Sequence, residues 1–292
     1  MVEPCGNNLL GVAFAFLLKV SDTAKTDRNE TGQMTETKST ISRAVAAIVA
    51  SRGMTLAYLC FVFLIGVLQS REAEDTGFSL ETGLTIGEAF AEAGLLYVYC
   101  LFLLGIERTS AETRKSVWQF TARYVLLIFM PFYLISFAAV FGVIYAMSSL
   151  LTPLEGTLVL LLPIMVTSYL LLLLGFGTAL PSKLVGTQAG ISEALRRGWR
   201  QFRYQFPRLL VGVVALNLLA VAVQFLAEGF AINPAPVSSE DGFDLPGSLI
   251  HLGVRCIDML ALAVLSVVVC EAYLRDLRAQ GELISKDVEV FS

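Results

Sequence analysis

Three stretches of this chain hold ionisable or amide side chains inside otherwise apolar runs. They are Glu88 with Glu92, one helical turn apart; Asn217, Gln224 and Glu228, at spacings of seven and four; and His251, Arg255 and Asp258. A charge in hydrocarbon costs at least about 2.5–3.5 kcal/mol on insertion scales, so such a side chain is kept where it has a partner or a task. Arg255 and Asp258 are three apart and can pair on one helix face, and Arg255 could also reach Glu92 or Glu228 if the three runs pack together. Two readings follow for the cluster Glu92, Gln224, Glu228, Arg255 and Asp258. One is a polar pocket open to the outside, suited to a small polar ligand, a lipid headgroup or proton movement. The other is an internal ion-pair network that pins helix packing. His251 stands without Cys, His or carboxylate at ligand spacing, so no metal site is expected, and no cofactor.

The elements that must carry these residues are membrane spans. Of 292 residues, 55% are hydrophobic and 16% charged, and the mean hydropathy is +0.70. These values lie outside the range of an ordinary soluble domain. Six apolar segments, at 54–69, 86–106, 124–147, 157–180, 208–230 and 249–273, are each near the roughly 20 residues a helix needs to cross hydrocarbon. The first is short, and Ala44 to Ala50 can extend it. Basic residues then set the orientation. Lys38, Arg43 and Arg52 precede the first span; Arg108, Arg114, Lys115 and Arg123 follow the second; six lie between Pro181 and Arg208; Arg275, Arg278 and Lys286 follow the sixth. The intervening loops hold only Arg71, against Glu72, Glu74, Asp75, Glu81, Glu155, Glu240, Asp241 and Asp244. The positive-inside rule therefore puts both termini in the cytoplasm. In that direction Glu92, Gln224, Glu228 and Arg255 fall in the outer half of the membrane, with Asp258 nearer the middle. The net charge of −4 averages over two compartments of opposite sign.

Between spans four and five, Leu180 to Arg208 is the most basic run. Ile191, Leu195, Trp199, Phe202 and Phe206 fall at helical spacings, with Arg196, Arg197, Arg200 and Arg203 around them. This predicts an amphipathic cytoplasmic helix whose apolar stripe, with Trp199, sinks into the headgroup region and whose arginines meet anionic lipid. With apolar spans on both sides, lipid is the expected partner and nucleic acid is not. Trp118 and Trp199 read as interfacial anchors. Pro131 and Pro163 should open the helical ladder of spans three and four.

Residues 1–40 form a separate tail, disordered or the product of a mis-assigned start, with Met34 the other candidate. Leu9 to Val20 is too short to span and lacks the features of a secretory signal. The sequon Asn29-Glu30-Thr31 is read as chance. The expected organisation is a tail over 1–40, a six-helix domain over 41–276 and a cytoplasmic tail over 277–292. Cys5, Cys60, Cys100, Cys256 and Cys270 show no CxxC or Cys/His spacing and read as free thiols. No Walker loop, GxGxxG after a strand, HExxH or GxSxG is present, so no hydrolase chemistry is expected.

The junction Ala179-Leu180-Pro181, then Val185-Gly186 and Ile191-Ser192-Glu193-Ala194-Leu195-Arg196-Arg197-Gly198-Trp199, resembles the loop after the fourth span in a bacterial family of six-helix membrane proteins. That family includes the YciC-like proteins and the membrane domain attached to some glycerophosphodiester phosphodiesterases. The ending Tyr273-Leu274-Arg275-Asp276-Leu277-Arg278 is similar to the family's closing tyrosine and Asp-Leu-Arg, with the tyrosine one place further from the aspartate. The likeness covers about residues 41–281. It implies a bacterial inner-membrane protein with both ends inside, and no phosphodiesterase activity, because the catalytic barrel of the fused relatives is missing. The combined expectation is an all-α, polytopic, non-enzymatic membrane protein, a scaffold or accessory component touching anionic lipid and a protein partner. The alternative is a small-solute or lipid transporter using the polar cluster.

Overall fold

The computed structural model describes residues 39–72, 78–106, 110–148, 155–185, 190–230, 232–238 and 242–281. Of the expected tail over 1–40, residues 1–38 with the sequon and Met34 lie outside the described residues, as does the chain beyond Gly281, whereas Ser39 and Thr40 cap and open the first helix. Six helices are long and apolar enough to cross a membrane, over Arg52–Ser70, Thr82–Leu104, Ser116–Val143, Leu161–Leu184, Phe202–Gly229 and Leu245–Ala279. By length and composition this is a multi-pass, all-helical membrane protein. The one exception among the described residues is a two-residue antiparallel pair, β1 (Val237–Ser238) with β2 (Gly242–Phe243), between spans five and six.

The helices in chain order are α1 (Thr40–Ala50), α2 (Arg52–Glu72), α3 (Phe78–Leu104), α4 (Ser110–Tyr124), α5 (Met130–Ser148), α6 (Glu155–Phe176), α7 (Ala179–Leu184), α8 (Ile191–Arg200), α9 (Phe202–Arg208), α10 (Ala215–Gly229) and α11 (Leu245–Ala279). The last is the axle of the bundle. Its 18-residue apolar window is 61% buried, against 6% for that of span three at the periphery, and from Ala261 to Cys270 every side chain is buried. A stretch buried on all sides must be apolar all round, and Ala261–Cys270 is so apart from Ser266, whose hydroxyl donates to the Leu262 carbonyl at 2.9 Å. At Gly212 an added Cβ would lie 2.6 Å from Val264 Cγ1, so span five reaches the axle only because that residue has no side chain.

Several expectations change at the ends of the spans. Ala44 to Ala50 do not lengthen span one. They form α1, capped by Ser39, whose hydroxyl accepts from the Ser42 N–H at 3.2 Å, and separated from α2 by Ser51 at φ −103°, ψ 26°. Ala44, Val45 and Ala47 are the buried face of α1, which packs against α11 and α3, and Arg43 pairs with Glu271. The predicted loop before span three is helical: α4 packs along α3 and runs through a π-helical stretch, Val125–Phe129, into α5. Pro131 follows that stretch, where the Met130 N–H bonds the Val125 carbonyl five residues back. A second π-helical stretch, Leu209–Val214, follows Pro207, whereas Pro163 sits inside an unbroken α6. A widened turn removes the clash of the proline ring with the carbonyl before it. The boundary expected at 276/277 falls inside α11, where Asp276 is 1% and Leu277 4% exposed.

Candidate functional site

Arg255 on α11 is the hub of the intramembrane polar cluster. Its Nη1 pairs with Glu88 of α3 and lies 3.5 Å from Asp258, one turn along its own helix. The expected partners Glu92 and Glu228 are not the ones it takes. Glu88 and Glu92 are one turn apart on α3, and the first of the two meets Arg255, leaving Glu92 to accept a hydrogen bond from Tyr124 at 3.0 Å. Gln224 and Glu228 do not join the cluster: both are exposed on the far part of α10, about two and three turns beyond Asn217.

Glu92 and Asp258 face one cavity of about 230 Å³, together with Tyr169, Asn217, Val213, Ala261, Leu262 and Leu265. It has room for several water molecules or a small organic cation. Each polar wall is held by its own helix packing. Asn217 donates Nδ2–H to the Val213 carbonyl at 2.9 Å, a bond to the preceding turn that leaves its amide oxygen uncommitted. The Tyr169 ring lies edge-on to Phe132, centroids 5.3 Å apart. Nearby, the Tyr58 hydroxyl is buried without a partner, close enough to Glu88, Glu92, Arg255 and Asp258 to feel their charge. Three carboxylates therefore lie around one guanidinium that pairs with only two of them, Glu88 and Asp258. Such an arrangement favours a further cation, proton included, in the cavity. Sequence reasoning missed Tyr124, Tyr169 and Tyr58 because tyrosine counts as apolar in a hydropathy pattern, while Asn217 was visible as part of the span-five face. His251 packs against Gly66, where an added Cβ would come within 2.6 Å of its Nε2, and edge-on to Phe63.

The basic run between spans four and five is not one continuous helix. It breaks at Gln201, φ −95° and ψ 10°, into α8 and α9, so Phe202 and Phe206 belong to the start of span five. The side of α8 that packs inward carries Ala194, Arg197 and Gly198. Arg197 corrects the lipid expectation: it is 3% exposed, donates from Nε to Asp276 at 2.9 Å and lies over the Tyr273 ring at 4.8 Å. Arg200 is also engaged internally, with one nitrogen 2.9 Å from both Asp276 and Glu193. Burial acts against its charge, but the hydrogen bonds and charges of Asp276 and Glu193 outweigh it and raise its pKa above the ordinary value. Arg196, 67% exposed at its side chain, pairs with Glu193 at 3.0 Å, and Arg203 is exposed. Trp199 is 68% exposed and stacks on Phe202, which stacks on Phe206. Trp118, 66% exposed, stacks on Phe90 of span two, so it lies beside a span. In the sequence Asp276 stands out only as part of the closing motif; its pairing is not visible there because its partner Arg197 is 79 residues away.

Among the described residues no group of three or more His, Cys, Asp or Glu could hold a metal ion. Comparison with family models, with curated proteins and with solved structures finds no match to this chain.

Proposed function

We propose that this protein moves a small monovalent cation, proton included, across a bacterial inner membrane, with Glu92 and Asp258 as the carboxylates that receive it and Arg255 as the fixed counter-charge. The observation that carries this reading is the cavity at Glu92, Tyr169, Asn217 and Asp258. A purely structural ion-pair network gains nothing from open volume beside its carboxylates, whereas a site that loads and releases a cation requires it. The protein is taken as non-enzymatic. The distribution of Lys and Arg supports a cytoplasmic position for both termini, as does the resemblance to the YciC-like family.

The test uses the full chain in proteoliposomes under an imposed membrane potential. Proton entry is read by an internal pH dye, and sodium and methylammonium uptake by radiolabel. At least one of the three should enter several-fold faster than in protein-free vesicles, and D258N and E92Q should bring that flux to the protein-free level while eluting as folded protein. Flux no faster than that of empty vesicles for all three probes, or unaltered flux in both variants, would refute the reading.

A second reading, a scaffold or accessory component, is favoured by a different observation. The outer face of α8 leaves Ile191 and Trp199 exposed beside Arg196 and Arg203, the composition of a helix face lying in the headgroup region with anionic lipid beside it and a protein partner on its solvent side.

A further inference from the structure

Most arginines in this bundle have a visible counterpart. Arg43, Arg196, Arg197, Arg200 and Arg255 are paired with carboxylates, and Arg123 donates to the Ala179 carbonyl at 3.1 Å. Arg208 and Arg275 differ. Both guanidinium carbons lie 4.1 Å from the centroid of one ring, that of Tyr204. Both side chains are exposed, and among the described residues no carboxylate pairs with either.

Two cations drawn to the same ring repel each other, and the ring quadrupole offsets only part of that cost. An anion shared between them would remove it. Stacking on an aromatic face also fixes the guanidinium plane while leaving the N–H edges free, the arrangement that grips a phosphate with paired hydrogen bonds. One Arg208 N–H is used, on the Tyr204 carbonyl at 3.2 Å, which holds the side chain in place. The ring contributes an independent sign of an absent partner: the Tyr204 hydroxyl is buried with no hydrogen bond, and both amide atoms of the adjacent Gln205 are in the same condition.

The position selects the source of the phosphate. Tyr204 and Arg208 open span five and Arg275 is near the close of span six, so the pair sits at one end of the bundle. There the stacked ladder Trp199, Phe202 and Phe206, with centroids 5.7 and 5.1 Å apart, marks the depth of lipid headgroups. We propose that Arg208 and Arg275, held on Tyr204, form a specific site for the phosphodiester headgroup of an anionic lipid. The site is separate from the cavity and does not depend on it. It also differs from diffuse attraction to Arg196 and Arg203, because it requires two guanidiniums in fixed geometry.

The experiment measures phosphatidylglycerol against phosphatidylcholine binding to the full-length protein in neutral detergent, by lipid retention in native mass spectrometry and by the shift in thermal unfolding midpoint. R208Q/R275Q should weaken phosphatidylglycerol binding about tenfold or more, the scale of losing charge-assisted hydrogen bonds, with its midpoint in phosphatidylcholine unchanged. R208K/R275K, which keeps the charge without the flat fork, should recover only a small part. R196Q/R203Q, which removes only diffuse attraction, should weaken binding far less than R208Q/R275Q does. Equal phosphatidylglycerol binding by R208Q/R275Q, or loss confined to R196Q/R203Q, overturns the proposal. If inorganic phosphate at matched concentration reproduces the full shift in phosphatidylcholine, the lipid assignment is overturned in favour of a soluble phosphate.

Discussion

Asp276 carries the heaviest demand of any single side chain in the bundle. It is 1% exposed, and its Oδ2 receives Arg197, Arg200 and the Gln280 amide, the last at 2.5 Å. Removing the carboxylate leaves Arg197 charged and buried without a partner. D276N is therefore expected to cost about 3–5 kcal/mol of stability, the scale found for breaking one side of a buried pair, read by unfolding in detergent. R200Q, at a more exposed position, should cost about 1 kcal/mol or less. Replacing both R197M and D276L should recover most of the loss; a double variant as weak as D276N alone would rule out desolvation as the cause. At the intramembrane cluster, Y124F deletes one hydrogen bond to Glu92 and should cost about 1 kcal/mol, with a larger effect on cation flux if Glu92 is a loading group. These partnerships were not legible in the sequence for a concrete reason. Arg255 meets Glu88 across 167 residues and Arg197 meets Asp276 across 79, and hydropathy and local spacing report only on neighbours within a few turns.

At the scale of the element, α8 shows what periodicity can and cannot reveal. The stripe from Ile191 to Trp199 was visible, and Ile191 and Trp199 are indeed on an open face. The opposite face was misjudged because its key residue is a glycine. At Gly198 an added Cβ would stand 2.1 Å from the Leu174 carbonyl oxygen and 3.1 Å from that of Gly175, so α8 crosses the end of α6 with backbone against backbone. G198A is expected to lower stability by about 1–3 kcal/mol through displacement of one helix. G94A is the control: nothing lies within 4 Å of that position, and alanine there should leave stability unchanged or raise it by about 0.5–1 kcal/mol through backbone entropy. Equal losses for the two would show that the close crossing is not what the glycine serves. The break at Gln201 was equally hidden, since Arg200, Gln201 and Phe202 are all acceptable helix residues and only docking of α8 on the bundle turns the chain there.

For the whole molecule, the number and rough position of the spans were readable because roughly 20-residue apolar runs have few other uses in a chain of this size. The end of the last helix was not. Span six was expected to stop at 273, but α11 continues to Ala279 because Asp276 and Leu277 are covered by neighbours that a hydropathy window cannot see. If all six candidate spans cross, Ser39 and Gly281 share one side and Ser238 lies on the other. Single cysteines introduced at these positions should react with a membrane-impermeant reagent from the cytoplasmic side for the first two and from the outside for the third. Any other pattern would overturn the orientation.

Length gives α11 a mechanical property. Asp258 and Asp276 lie about five turns apart, about 27 Å at 1.5 Å per residue, and 3.6 residues per turn returns them to nearly the same azimuth. The helix is thus a stiff shaft with one anion at the cavity and another gripped at its end. On the cation-transport proposal, a twist of the shaft that accompanied loading at Asp258 would swing Asp276 through a similar arc against Arg197 and Arg200. The grip of Arg197 and Arg200 on Asp276 would then resist that twist at a distance from the cavity. Loosening it with R200Q should broaden the separation measured between spin labels at Gly83 and Gly253, whereas an unchanged distribution would mean that the two ends of the shaft turn independently.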